Sequence, residues 1–154
     1  MVWESLKAGG RRESDAKSSG PPREDRWSSV YVLFTTLKGT KQALQSALML
    51  TKDLTFRIDV LVPIVVPLPL PITDPPVQLT FRVAQALELI RATGSSPRVH
   101  VYLCRDVVQA VLKVVRPGSP VVVGIKKTWW PSSEGRLVKA LQRTDHLTIL
   151  ARYD

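Results

Sequence analysis

The stretch whose residue types and spacing come nearest to chemistry is Gly124-Ile125-Lys126-Lys127-Thr128-Trp129-Trp130-Pro131-Ser132-Ser133-Glu134-Gly135. Ser132 or Ser133 can cap a helix that begins here, and the free N–H groups of that helix's first turn favour an anion. Lys126 and Lys127 can add positive charge to the same place. Glu134 opposes them by setting a carboxylate in the first turn, and a capped helix beside two solvated lysines explains the same residues. Trp129 and Trp130 are adjacent indoles that can stack on a base, insert into a partner, touch a membrane interface or pack over the end of a sheet.

Catalytic groupings are sparse. His100, Cys104 and Asp106 share even spacing, so an uninterrupted strand shows them on one side. Four residues along a strand nevertheless span about 13 Å, too far for a Cys–His hydrogen bond. Cys104 therefore reads as a small core residue and Asp106 as a helix cap. His146 falls in a turn, and two histidines with one cysteine, widely placed, make no zinc pattern. The chain has no P-loop, dinucleotide fingerprint or Gly-x-Ser-x-Gly elbow. The expectation is a protein that is not an enzyme, with no metal and no cofactor.

The elements that position these residues follow from hydrophobic pattern. Val30-Tyr31-Val32-Leu33-Phe34 is a continuous apolar run, the mark of a strand covered on both faces. Thr40 can cap a helix with Ala43, Leu44, Ala47, Leu48 and Leu54 on one side. Phe56 to Val62 reads as a second strand. It runs into residues 63–76, which hold six of the twelve prolines and suit neither a helix nor a central strand.

Asp74-Pro75-Pro76 reads as a helix start. That helix turns Phe81, Ala84, Leu87 and Ile90 inward and stops near Gly94. Val99 to Leu103 is a third strand, followed by a helix capped by Asp106 that carries Val107, Ala110, Val111 and Val114 and ends at Arg116-Pro117-Gly118. Pro120 to Ile125, Glu134 to Arg143 and Leu147 to Ala151 give a strand, a helix and a strand. Strict alternation of strand and helix predicts an α/β fold: a doubly wound, five-stranded parallel sheet in a three-layer α/β/α sandwich. Ligands of such sheets bind beyond the carboxyl ends of the strands, where strand order reverses. The candidate ligand residues there are Thr35, Thr36, Gly124, Lys126, Lys127, Ser132 and Ser133.

Length and composition bound the rest. A chain of 154 residues suits one domain, and 44% apolar residues exclude wholesale disorder. One cysteine cannot form an internal disulfide, which points to a reducing compartment. Residues 1–28 hold eleven charged side chains and ten Gly, Ser or Pro, with Trp3 and Trp27 as the only large anchors. They read as a flexible charged arm ahead of the domain at 29–154. The chain begins without an apolar run long enough for a secretory signal, and residues 60–72 are too short and proline-rich to span a bilayer. A cytoplasmic protein is expected.

The net charge is +9, and residues 98–154 carry ten of the positive charges against four negative. This basic third can serve an anionic partner or simply keep helix faces solvated. No base-reading motif accompanies it, so nucleic acid is not expected as a partner. Membrane attachment through Lys126-Lys127 and Trp129-Trp130 is the weakest of the readings.

The order and lengths of these elements resemble the universal stress protein family over about residues 29–152. Arg57-Ile58-Asp59-Val60-Leu61-Val62-Pro63 is similar to its second strand running into a loop, and Val121-Val122-Val123-Gly124 to the strand entering its nucleotide loop. Glu134 to Leu150 is similar to its closing helix and strand. The resemblance implies a regulatory or stress-response domain that pairs through its last strand, here the Leu147–Ala151 edge, as a homodimer. It implies that Val62 lies in the region lining an adenine pocket. ATP-binding members use an Asp at the end of the first strand and a Gly-x2-Gly-x9-Gly-Ser/Thr loop. This chain has Thr35-Thr36 at the strand end; it keeps Gly124 but has Lys127 and Leu137-Val138 at the later loop positions. Side chains there obstruct backbone approach to phosphates. ATP binding in the family manner is therefore not expected, and a nucleotide or small-anion sensor with a modified cleft near Gly124 is the alternative.

Overall fold

Continuous apolar runs become strands buried on both faces, and the amphipathic segments between them become the helices that bury those faces. The computed structural model describes residues 29–54, 56–72, 78–127, 132–144 and 146–154. Its elements are β1 (Ser29–Leu33), α1 (Leu37–Thr51), β2 (Arg57–Val65), α2 (Gln78–Ala92), β3 (Arg98–Cys104), α3 (Val107–Val114), β4 (Val121–Lys126), α4 (Ser133–Arg143) and β5 (Thr148–Tyr153). The expected arm at 1–28, the Asp74 cap, Trp129 and Trp130 lie outside the described residues.

All five strands are parallel, in the order β3-β2-β1-β4-β5. This is the doubly wound α/β sheet that the alternation predicts. One core layer packs Val30, Val32, Val60 and Val62 of the sheet against Ala43, Leu44 and Ala47 of α1 and Ala86 and Ile90 of α2. The other packs Tyr31, Leu33, Leu61, Val121 and Val123 against Val111 of α3 and Leu137, Val138 and Leu141 of α4. Strand order reverses between β1 and β4, and the site rests beside that point, over the carboxyl ends of β1 and β2.

Several boundaries differ from the sequence reading, each for a local reason. The N-cap of α1 is Thr36, whose hydroxyl accepts from the Gly39 N–H at 3.0 Å. Thr40 lies inside the helix, buried, and accepts from the Thr35 N–H at 3.1 Å. Leu54 falls beyond the end of α1 and is 55% exposed. On α2 the core face is Val83, Ala86, Leu87 and Ile90; Phe81 points outward at 65% exposure and Ala84 is exposed too.

β2 continues through Pro63 to Val65, past the expected end at Val62. The Phe34 N–H bonds the Leu61 carbonyl, and the Val66 N–H bonds the Cys104 carbonyl. Alternation then turns residue 63 toward β1, just where β1 has ended, so the missing proline N–H leaves no ladder bond unmade.

No helix of the described residues is long and apolar enough to cross a membrane.

Candidate functional site

A cleft of about 600 Å³ opens at the carboxyl end of the sheet. Its floor is the end of β1 and the turn that follows (Leu33, Phe34, Thr35, Thr36) with the end of β2 (Pro63, Ile64, Val65). Its sides are the amino ends of α3 (Asp106, Val107, Val108) and α4 (Ser133, Glu134, Arg136, Leu137), and Arg82 reaches it from α2. The sequence builds those amino ends with two caps. Asp106 accepts from the Gln109 N–H at 3.1 Å, and Ser132 accepts from the Gly135 N–H at 3.1 Å. Both helices thus aim the positive ends of their dipoles at one space.

Of the residues singled out in the sequence, Thr35, Thr36 and Ser133 line this cleft. Val62, Gly124, Lys126, Lys127 and Ser132 do not. Val62 is wholly buried in the α1/α2 layer. Gly124 faces α1: a Cβ there would run into the backbone of Gly39. The glycine lets helix and strand touch and leaves no phosphate cradle. Lys126 is exposed, and Lys127 is tied to the end of β5, its Nζ 3.0 Å from Asp154 Oδ1 and its N–H on the Tyr153 carbonyl. Ser132 is occupied as the cap.

Arg82 and Arg136, which the sequence reading passed over, give the cleft its guanidinium groups. The signal for Arg136 was its place in the first turn of a capped helix. Arg82 was hidden by the misplaced inner face of α2.

The edge of the cleft is braced at two points. The Thr36 hydroxyl shares a hydrogen bond with the Tyr153 hydroxyl at 3.0 Å, joining the start of α1 to the end of β5. Arg105 donates to the carbonyls of Val66 at 2.7 Å and Leu70 at 2.6 Å, pinning the proline-rich turn after β2. The Thr35 hydroxyl oxygen is buried with no hydrogen-bond partner.

A second polar cluster sits nearer the amino ends of the strands. Asp59 of β2, 2% exposed, takes two bonds from Arg98 (2.7 and 3.1 Å) and lies 3.1 Å from His100 Nε2. Burial pushes the Asp59 carboxyl up, but hydrogen bonds from His100, Arg98 and Ser29 and the Arg98 charge more than reverse this, holding it well below the usual carboxylate range. His100 stacks on Tyr102 with ring centroids 6.3 Å apart. Burial, followed by the nearby Tyr31 and Asp59, pushes Tyr102 up to about 12.

Asp59 precedes the cleft residue Pro63 by four positions, about 13 Å along the strand, so this cluster serves the fold and does not reach the cleft. His100 thus pairs with Asp59, while Cys104 points its thiol at the Ile64 carbonyl, 3.7 Å away. Burial raises the Cys104 thiol, with Asp106 adding to the shift, which makes it a poor nucleophile. A lone acid between Ile58 and Val60, opposite Arg98 and His100 two residues apart, was the sequence signal for the cluster.

Comparison with protein-family models gives no match, and no curated protein matches the sequence either.

Proposed function

We propose that the protein is a regulatory domain that binds a small organic anion in the cleft between β1, β2 and the amino ends of α3 and α4. The observation that carries this reading is an open space with Arg82 and Arg136 set against an apolar floor of Leu33, Phe34, Pro63, Ile64 and Val65. Guanidinium groups recognise a carboxylate or phosphate, and the apolar floor suits a ring or hydrocarbon body. Asp106 and Glu134 line the same space, so the local charge balances near zero. A ligand with one or two negative charges suits that balance better than a triphosphate. The reading is universal-stress-protein-like in outline, with the nucleotide loop replaced by helix packing at Gly124.

Titration calorimetry with benzoate, AMP and ATP tests it. Heat from benzoate or AMP that disappears in Arg82→Ala/Arg136→Ala supports the cleft. ATP binding tighter than both, abolished by Lys127→Ala, contradicts it and restores the loop after β4 as the site.

A second reading concerns assembly. Among the described residues β5 ends the sheet and pairs with β4 on one side alone, and Leu147 just before it is 44% exposed. An open edge of this kind favours a homodimer through Leu147–Ala151. Light scattering at high protein concentration tests it; a strict monomer there contradicts the pairing.

A further inference from the structure

The outer face of the α3/α4 layer is basic in a way that solubility does not require. Lys113 lies in the last turn of α3 and Arg116 just beyond its end, and Lys139 and Arg143 run along α4; all four are exposed. None of them is ion-paired among the described residues. Lys139 and Arg143 are four residues apart on α4. Like charges at this helical spacing repel by a few tenths of a kcal/mol. A face evolved only to stay in water interleaves signs. Here the one acid on either helix is Glu134, which belongs to the cleft.

We infer that this face binds the phosphate backbone of nucleic acid, without reading bases. The expectation against nucleic acid rested on the lack of a base-reading motif, and backbone contacts need none. An anionic membrane is the competing surface. Against it, none of the large apolar side chains exposed among the described residues belongs to α3 or α4, so the face has no wedge to enter a lipid interface. Lysines and arginines alone, spread over two adjacent helices, suit a line of phosphates.

Fluorescence anisotropy with labelled DNA duplexes of two unrelated sequences, at about 50 mM salt, tests the inference. Wild-type protein is expected to bind both equally, with log K falling against log salt at a slope of about −3.6 when four phosphates are neutralised. K113E/K139E/R143E lowers affinity at least about tenfold. K38E/K41E/K52E makes the same charge change at exposed lysines of α1 and its end, and leaves binding within a few-fold of wild type. If the glutamate variant loses its circular dichroism, K113Q/K139Q/R143Q replaces it. Equal loss from the α1 variant, binding to phosphatidylserine vesicles but to neither duplex, or no binding at this salt would each overturn the inference.

Discussion

Gly124 of β4 and Gly39 of α1 meet backbone to backbone, and a methyl group added at Gly124 would overlap the Gly39 carbonyl. Neither glycine has a positive φ, so size alone fixes the requirement. Gly124→Ala should lower stability by about 3 kcal/mol, since backbone cannot step aside as a flexible side chain can. Gly39→Ala meets side-chain atoms instead, the hydroxyls of Thr35 and Thr36 and the Tyr153 ring, and should cost less, chiefly through disturbing the Thr36 cap. Urea denaturation of the two variants measures the difference.

Asp59 makes stability depend on acid. Its folded-state pKa is depressed, so its contribution is complete above the unfolded value of about 4 and drains away as pH falls toward the folded value. Asp59→Asn should cost about 3 kcal/mol near neutrality, because it leaves Arg98 without its carboxylate, and should flatten the fall in stability below about pH 5. Chemical denaturation across pH 3 to about 7 shows both effects.

Tyr102 acts at the other end of the scale. Its folded-state pKa of about 12 exceeds the ordinary 10.0, so the neutral phenol stabilises the fold below pH 10.0 and that contribution is lost as pH rises toward 12. Tyr102→Phe should keep more of its neutral-pH stability than wild type over this window. Thermal melts at stepped alkaline pH compare the two.

The cap of α1 separates two threonines by role. Thr36→Ala should cost about 1 kcal/mol and Thr36→Asp much less, since aspartate also caps. Thr40→Asp should be far worse, because it buries a carboxylate at a site 1% exposed. Melting temperatures of the three variants rank them.

What the sequence made legible was decided by pattern. Parallel strands covered on both faces write themselves as unbroken apolar runs, and Val121-Val122-Val123 or Val30-Tyr31-Val32-Leu33 admit little else. The cap Asp106 was readable, and Ser132 as one of two candidates with Ser133, because polar residues before amphipathic runs have one common use. Thr40 misled because Thr36, four residues earlier, meets the same description, and only the Gly39 N–H chooses between them. The inner face of α2 was misplaced because Phe81 is apolar yet exposed.

The cleft was half legible. Thr35, Thr36 and Ser133 sit where the topology puts them, at strand and helix ends. Gly124 is a candidate ligand residue by sequence, whereas the neighbour that fills the space beside it lies 85 positions away in Gly39, beyond the reach of local pattern. The partnership of Asp59 with Arg98 and His100 likewise needed the pairing of β2 with β3.

Amide chemical-shift mapping with AMP, benzoate and inorganic phosphate locates the anion on the protein. Ligand in the cleft shifts Thr35, Ile64, Val65, Val107, Ser133 and Leu137 with AMP or benzoate, and Arg82→Ala/Arg136→Ala abolishes every one of these shifts. Shifts gathered instead around Gly124 to Lys127, or none with any of the three probes, would contradict binding in the cleft.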